Sequence, residues 1–295
     1  MNQTPELTSR SRPTGRSASL RLQRLFRPGS LAKQAVMWIV CLLTLFPVYF
    51  MLSSALKTRE QFNANPLGLP PLGIANFVQA LAGKPLGRWF LNSMIVTTLS
   101  ITAVTVLGTL AAYAFARMEF RGRDLMFNLI VPLMVIPPIV MIIPLFSAMV
   151  SVHLINTYWS VTIIYTALQL PFTVYLLRNF MIKVPRELTD AAMIDGCNRF
   201  STLYHVLVPL SIPAIVTSVV VNMLWIWNEL LISLVFLQGE EMRTLMVGIT
   251  VFRERFTLNV PVVMAGLTLA TVPMLVAYLF GQRYFTRGLV AGAVK

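Results

Sequence analysis

The chain has 295 residues, 56% of them hydrophobic and only 12% charged, with a net charge of +13. A soluble domain carries about 25% charged residues, and here long apolar runs alternate with short charged clusters, so lipid rather than water must solvate most of the fold. The basic residues flank apolar spans and have no aromatic-basic surface around them, which argues against nucleic acid.

In chain order, residues 1–35 hold seven basic residues and one acid, Glu6, among early Ser, Thr and Pro, and read as a disordered cytoplasmic tail. Its stretch Leu20 to Arg27 places Leu22, Leu25 and Phe26 on one helical face and suits a membrane surface. An Arg/Ser-rich transit peptide is the alternative. Six segments reach the roughly 20 residues a bilayer requires; they run over 36–56, 91–116, 124–149, 158–178, 210–237 and 260–282. The third contains Pro132, Pro137, Pro138 and Pro144 and must kink or break. Thr98, Thr102, Thr105 and Thr109 in the second, near Gly108 and Ala112, read as helix-packing surface. Trp38, Trp89, Tyr158 and Trp159 lie near span ends and suit an aromatic belt. With the N-terminus inside, 17 of the 24 Lys and Arg fall on the cytoplasmic side, or 10 against 7 without the tail. Both termini are therefore expected in the cytoplasm, in a cell (inner) membrane.

The chain offers little for catalysis. Cys41 and Cys197 form no disulfide framework, and His153 and His205 fall in different loops without metal-ligand spacing. Gly83-Lys84 lacks the remaining residues of a phosphate-binding loop. No catalytic residue, metal or cofactor is expected, and ATP hydrolysis, if the function uses it, belongs to another chain.

Between the fourth and fifth spans, Asn179 to Val208 is too polar for lipid, and Pro209 follows. Pro185 suits a helix start, with Glu187 and Asp190 near its positive end. Leu188, Ala191, Ala192 and Asp195 fall at helical spacing, Gly196 suits a left-handed cap, and Asn198 or Ser201 can begin a second short helix before Pro209. A bent helical knob results. Asp190-Ala191-Ala192, Gly196 after three residues, and Val206-Leu207-Val208-Pro209 after nine more resemble the loop signature of binding-protein-dependent ABC importer permeases. Asp replaces the family's Glu, and Val replaces its Ile and Leu. Trp225-Ile226-Trp227-Asn228-Glu229 and the C-terminal Arg287 to Lys295 are similar to the maltose-permease-like carbohydrate group. The resemblance covers residues 88–295 well and the first span more loosely.

This resemblance implies an all-α integral membrane protein with six transmembrane helices, the type I ABC importer transmembrane domain, over 36–295. It implies a sugar importer whose loop at 179–209 docks in a groove of a separate ATP-binding subunit. Carried over, the docking residues are Asp190, Ala191, Ala192, Asp195 and Gly196. The implied partners are that ATPase, a second homologous permease and an extracytoplasmic sugar-binding protein.

In span five, Ser218, Asn222, Trp225, Glu229 and Ser233 recur at helical spacing, and a carboxylate in a span normally faces a bundle interior or a water-filled cavity. Asn222, Trp225 and Glu229 are the candidate sugar path, with Glu229 about 26 Å along the helix from Ile212, near the outer leaflet. Plain helix packing is the competing reading. The loop at 238–259, with Glu240, Glu241, Arg243, Arg253, Glu254 and Arg255, is expected outside, facing the binding protein or simply water. A stand-alone secondary transporter would need coupling carboxylates within the spans, and often an internal repeat. Glu229 is the one acid well inside a span, and no repeat is visible. An intramembrane enzyme would need a reactive pair that is absent.

Overall fold

The computed structural model describes residues 28–70, 73–82, 86–255 and 259–293, and every regular element among them is a helix. The chain divides at Leu52 and Ser53 into two compact units. Five helices are long and apolar enough to cross a membrane, or six if one bent pair counts as a single span. The expected six-span architecture is thus present.

Helix α1 (Pro28–Leu56) carries Pro47 and starts eight residues before the predicted span. Residues 1–27, including the amphipathic stretch, lie outside the described part. Its apolar side chains from Val36 to Phe46 are exposed, as lipid solvation requires. The short helices α2 (Arg59–Ala64) and α3 (Ala75–Ala82) follow, α2 opened by a reciprocal capping box between Thr58 and Gln61. This stretch is organised by Lys57, only 2% exposed, whose ammonium donates to the carbonyls of Asn65 (3.1 Å) and Pro66 (2.7 Å). Asn76 Nδ2 in turn donates to the carbonyls of Ala55 and Lys57.

Helix α4 (Leu86–Arg117) is 32 residues long and has no proline. Its buried face is Ser93, Thr97, Ser100, Val104, Gly108, Thr109 and Ala112, so the packing seam is displaced from the predicted threonine stripe: Thr98 and Thr102 are exposed. Gly108 lies against Thr173, where any Cβ would collide with the threonine methyl. Small residues permit that approach where no water-driven force pulls helices together.

Helices α5 (Arg123–Leu133) and α6 (Pro138–Ser151) meet at 106°. Pro137 is extended (φ −64°, ψ 130°) because Pro138 bars the helical region to the residue before it. Helix α7 (Tyr158–Met181) packs along α4 and carries Pro171. After the connecting loop, α9 (Arg199–Thr202), a π-helical turn (Leu203–Leu207) and α10 (Val208–Asn228) form one 30-residue span. The loop's α8 is described below. Pro209 therefore lies in the first turn of α10 and does not end a separate helix. The predicted fifth span ran to residue 237, but α10 stops at Asn228. Helix α11 (Leu231–Phe236) is a separate piece. The predicted loop at 238–259 contains helix α12 (Leu245–Arg255), and α13 (Val260–Ala293) closes the chain. The side chains of Arg253, Glu254 and Arg255, and of Arg287 to Lys295, lie outside the described set.

Trp38 and Trp159 are more than half exposed and suit a belt, whereas Trp89 is 3% exposed and does not. Its indole N–H donates to the Glu240 carbonyl inside the fold. End-of-span position alone could not distinguish a buried tryptophan from an interfacial one.

Candidate functional site

The polar loop folds as an elbow. Pro185 precedes α8 (Arg186–Ile194), and Glu187 lies in its positive first turn. The end is a Schellman closure: Gly196 N donates to Met193 O (3.1 Å) and Cys197 N to Ala192 O (2.9 Å). Gly196 has φ +91° and open space around it, so glycine is needed for its backbone and not for room. Asn198 then caps α9, its side-chain oxygen accepting from Ser201 N at 2.9 Å.

Of the residues expected to dock, Asp190, Ala191, Asp195 and Gly196 are exposed, and Ala192 is turned inward beside Thr189. Adjacent residues of a helix point about 100° apart, which is why the two alanines separate. Leu188, Met193, Ile194, Phe200 and Tyr204 are also exposed on the elbow, Ile194 at 86%. The signature did not single these out, although their apolar character within a polar loop was a readable signal. The elbow is bolted to the bundle by Arg117, whose guanidinium donates to the carbonyls of Met181 (2.8 Å) and Val184, and by Tyr113, whose hydroxyl donates to Arg199 O. Beneath these bolts Leu177, Met181, Leu203 and Leu207 form an apolar core. A polar cleft of about 450 Å3 beside them is lined by Tyr113, Arg117, Arg186, Asp190 and Arg199, among others.

A second site lies where two interrupted spans meet. An open, largely apolar cavity of about 800 Å3 is lined by Pro138 and Ile139 at the start of α6, and by Val221, Leu224, Trp225 and Asn228 to Leu231 around the α10–α11 break. Irregular backbone at membrane depth is tolerated where it lines such a cavity. Glu229 is extended (φ −71°, ψ 129°) and terminates α10. Its carboxylate accepts from Ile232 N (3.0 Å), Ser233 N (3.2 Å) and the Tyr165 hydroxyl (2.7 Å), while Tyr165 also meets Ser233 Oγ at 2.6 Å. The negative charge thus caps the start of α11, a favourable pairing with the helix dipole.

This arrangement breaks the predicted stripe. Trp225 and Glu229 line the cavity, with Trp225 edge-on to Tyr165 at 5.8 Å between centroids. Asn222 is 0% exposed and donates to Thr173 Oγ1 (2.9 Å) and Ser218 Oγ (3.2 Å), joining α10 to α7. Ser233 lies beyond the break, buried against Tyr165. The end of α10 at Asn228 takes Glu229 and Ser233 out of the helical register, whereas Asn222 and Trp225 share α10 and differ in the neighbours they meet, Thr173 and Tyr165.

Comparison with known proteins fixes the class. Residues 104–290 match the family described as "Binding-protein-dependent transport system inner membrane component", and the chain belongs to that family. It is a permease of the ABC importer type, a membrane transport component and not an enzyme. Among individual relatives, it is 33% identical to the melibiose/raffinose/stachyose import permease MelC of Bacillus subtilis, over 87% of this chain and 94% of that one. It is 34% identical to the sulfoquinovosyl glycerol transport permease SmoH of Agrobacterium fabrum, over 85% and 89%. The fold matches a chain of the crystal structure of a bacterial ABC transporter involved in import of the acidic polysaccharide alginate. There the TM-score is 0.78 at 21% identity, covering 93% of this chain and all of the other.

Proposed function

We propose that this chain is one permease half of a heteromeric importer for a sugar or sugar derivative, driven by a separate ATPase subunit that grips the 179–209 elbow. The elbow carries the reading: a rigid, glycine-capped bend places Asp190, Ala191, Asp195 and Gly196 beside exposed Leu188, Met193, Ile194 and Phe200, the anchors a helix-in-groove contact uses. Sugar import is supported by relatives named for melibiose, sulfoquinovosyl glycerol and arabinooligosaccharides. A second homologous permease completes the pore. A sugar-loaded binding protein meets the 238–259 side; that such a partner exists is supported by a structural neighbour solved in complex with an alginate pentasaccharide-bound periplasmic protein. The elbow and both termini face the cytoplasm, by the distribution of Lys and Arg.

The cavity is the sugar path in this reading. Trp225 offers a ring for a sugar's C–H face and Glu229 an acceptor for hydroxyls, and Asn222 braces the helix behind them. The test is co-purification of the ATPase and uptake in cells. Gly196→Val should insert normally yet lose both, because a β-branched residue is strained at positive φ. Uptake by that variant without bound ATPase would overturn the proposal.

A further inference from the structure

Helix α4 is fastened at both ends by side chains that hold the backbone of distant loops. At its start, one face holds residues 240–245. Arg88 pairs with Glu241 at 3.0 Å, the Trp89 indole donates to Glu240 O (3.1 Å), and Leu245 N donates to Ser93 Oγ (2.8 Å). Asn92 is the hub of this latch. Its amide nitrogen donates to the carbonyls of Glu241 and Arg243, both at 2.8 Å, and its oxygen accepts from the Tyr158 hydroxyl at 2.7 Å. Trp89 also lies so close to Gly248 that a Cβ there would collide with the ring. At its far end, Tyr113 and Arg117 hold the elbow through the carbonyls of Arg199, Met181 and Val184.

Between the fastenings α4 is built to be stiff. Sharp bends in helices occur chiefly at proline, and α1, the α5–α6 pair, α7, α10 and α13 all contain one. Helix α4 has none across its 32 residues, which reach about 48 Å at 1.5 Å per residue. We infer that α4 is a rigid rod which carries engagement of residues 240–248 by the binding protein to the ATPase-gripping elbow, with Asn92 and Arg117 as its end fastenings. Bending spans absorb displacement locally; a rod held at both ends passes it on. Asn92 is a positioning residue in this scheme, since it acts through the loop. The inference rests on the function proposed above.

The test uses the complete transporter (both permeases, the ATPase subunits and sugar-loaded binding protein) in nanodiscs. Asn92→Leu keeps the side-chain volume and removes all three bonds. Stimulation of ATP hydrolysis by loaded binding protein should fall about tenfold, within the roughly 5- to 150-fold range of coupling between sites. Basal hydrolysis and subunit stoichiometry should stay as in the wild type, a split that general loss of structure would not produce. Arg117→Met should also lower stimulation, and the double variant should be no worse than the weaker single one, because a rod released at either end transmits nothing. Losses that multiply in the double variant, or full stimulation in Asn92→Leu, would overturn the inference. If Asn92→Leu does not assemble, Ser93→Ala, which removes one latch bond, must show a smaller loss of the same kind or the inference fails. A wild-type chain that captures no ATPase would instead remove the proposed function itself, and the rod with it.

Discussion

Glu229 offers the sharpest check on how a carboxylate is accommodated at a broken span. It accepts two backbone N–H groups at the start of α11 and the Tyr165 hydroxyl. Glu229→Gln leaves one oxygen to accept but turns an amide group toward donors and removes the charge. Losing a helix cap costs about 0.5–2 kcal/mol, and a hydrogen bond to a charged group is worth about 1.5–3 kcal/mol. Since glutamine keeps part of the cap, a net loss of about 2 kcal/mol is expected. Tyr165→Phe removes a donor from Glu229 and the partner of buried Ser233 Oγ, for about 1–2 kcal/mol. Because the two side chains touch, the losses should not add, and a double-mutant cycle by reversible unfolding in mixed micelles should give a coupling of about 1 kcal/mol. Glu229→Gln that keeps wild-type stability would refute the capping account, whatever its effect on uptake.

Two further substitutions test the frame. Gly108→Leu forces a branched side chain onto Thr173 where α4 and α7 pack tightly; it should cost about 1–3 kcal/mol, read as loss of folded protein in detergent. Lys57→Met keeps the buried stem and removes both bonds to Asn65 and Pro66, leaving their carbonyls without that donor. About 1–3 kcal/mol should be lost, and limited proteolysis should cut between residues 58 and 70 faster than in the wild type.

Much of this protein is legible in one dimension. Membrane spans announce themselves because hydrocarbon tolerates almost no charge over some twenty residues, so their number and approximate places follow from hydropathy alone. The elbow is legible for a similar reason. Its proline, glycine and capping asparagine act on their own backbone, within a few residues, and need no distant neighbour. The α5–α6 bend was foreseeable from adjacent prolines at 137 and 138, which bar a helix regardless of what surrounds them.

What only tertiary structure decided are the matters that depend on partners far away in sequence. The end of α10 at Asn228 is set by a carboxylate that finds Tyr165, 64 residues earlier, and turns back to cap α11. Asn222 became a brace because Thr173 faces it, and Trp89 became a buried latch because residues 240–248 fold over it. Lys57 could be placed in the interior because two carbonyls eight and nine residues on converge on its ammonium. A polar side chain in a membrane must find a partner, and its sequence position states that need without naming who meets it.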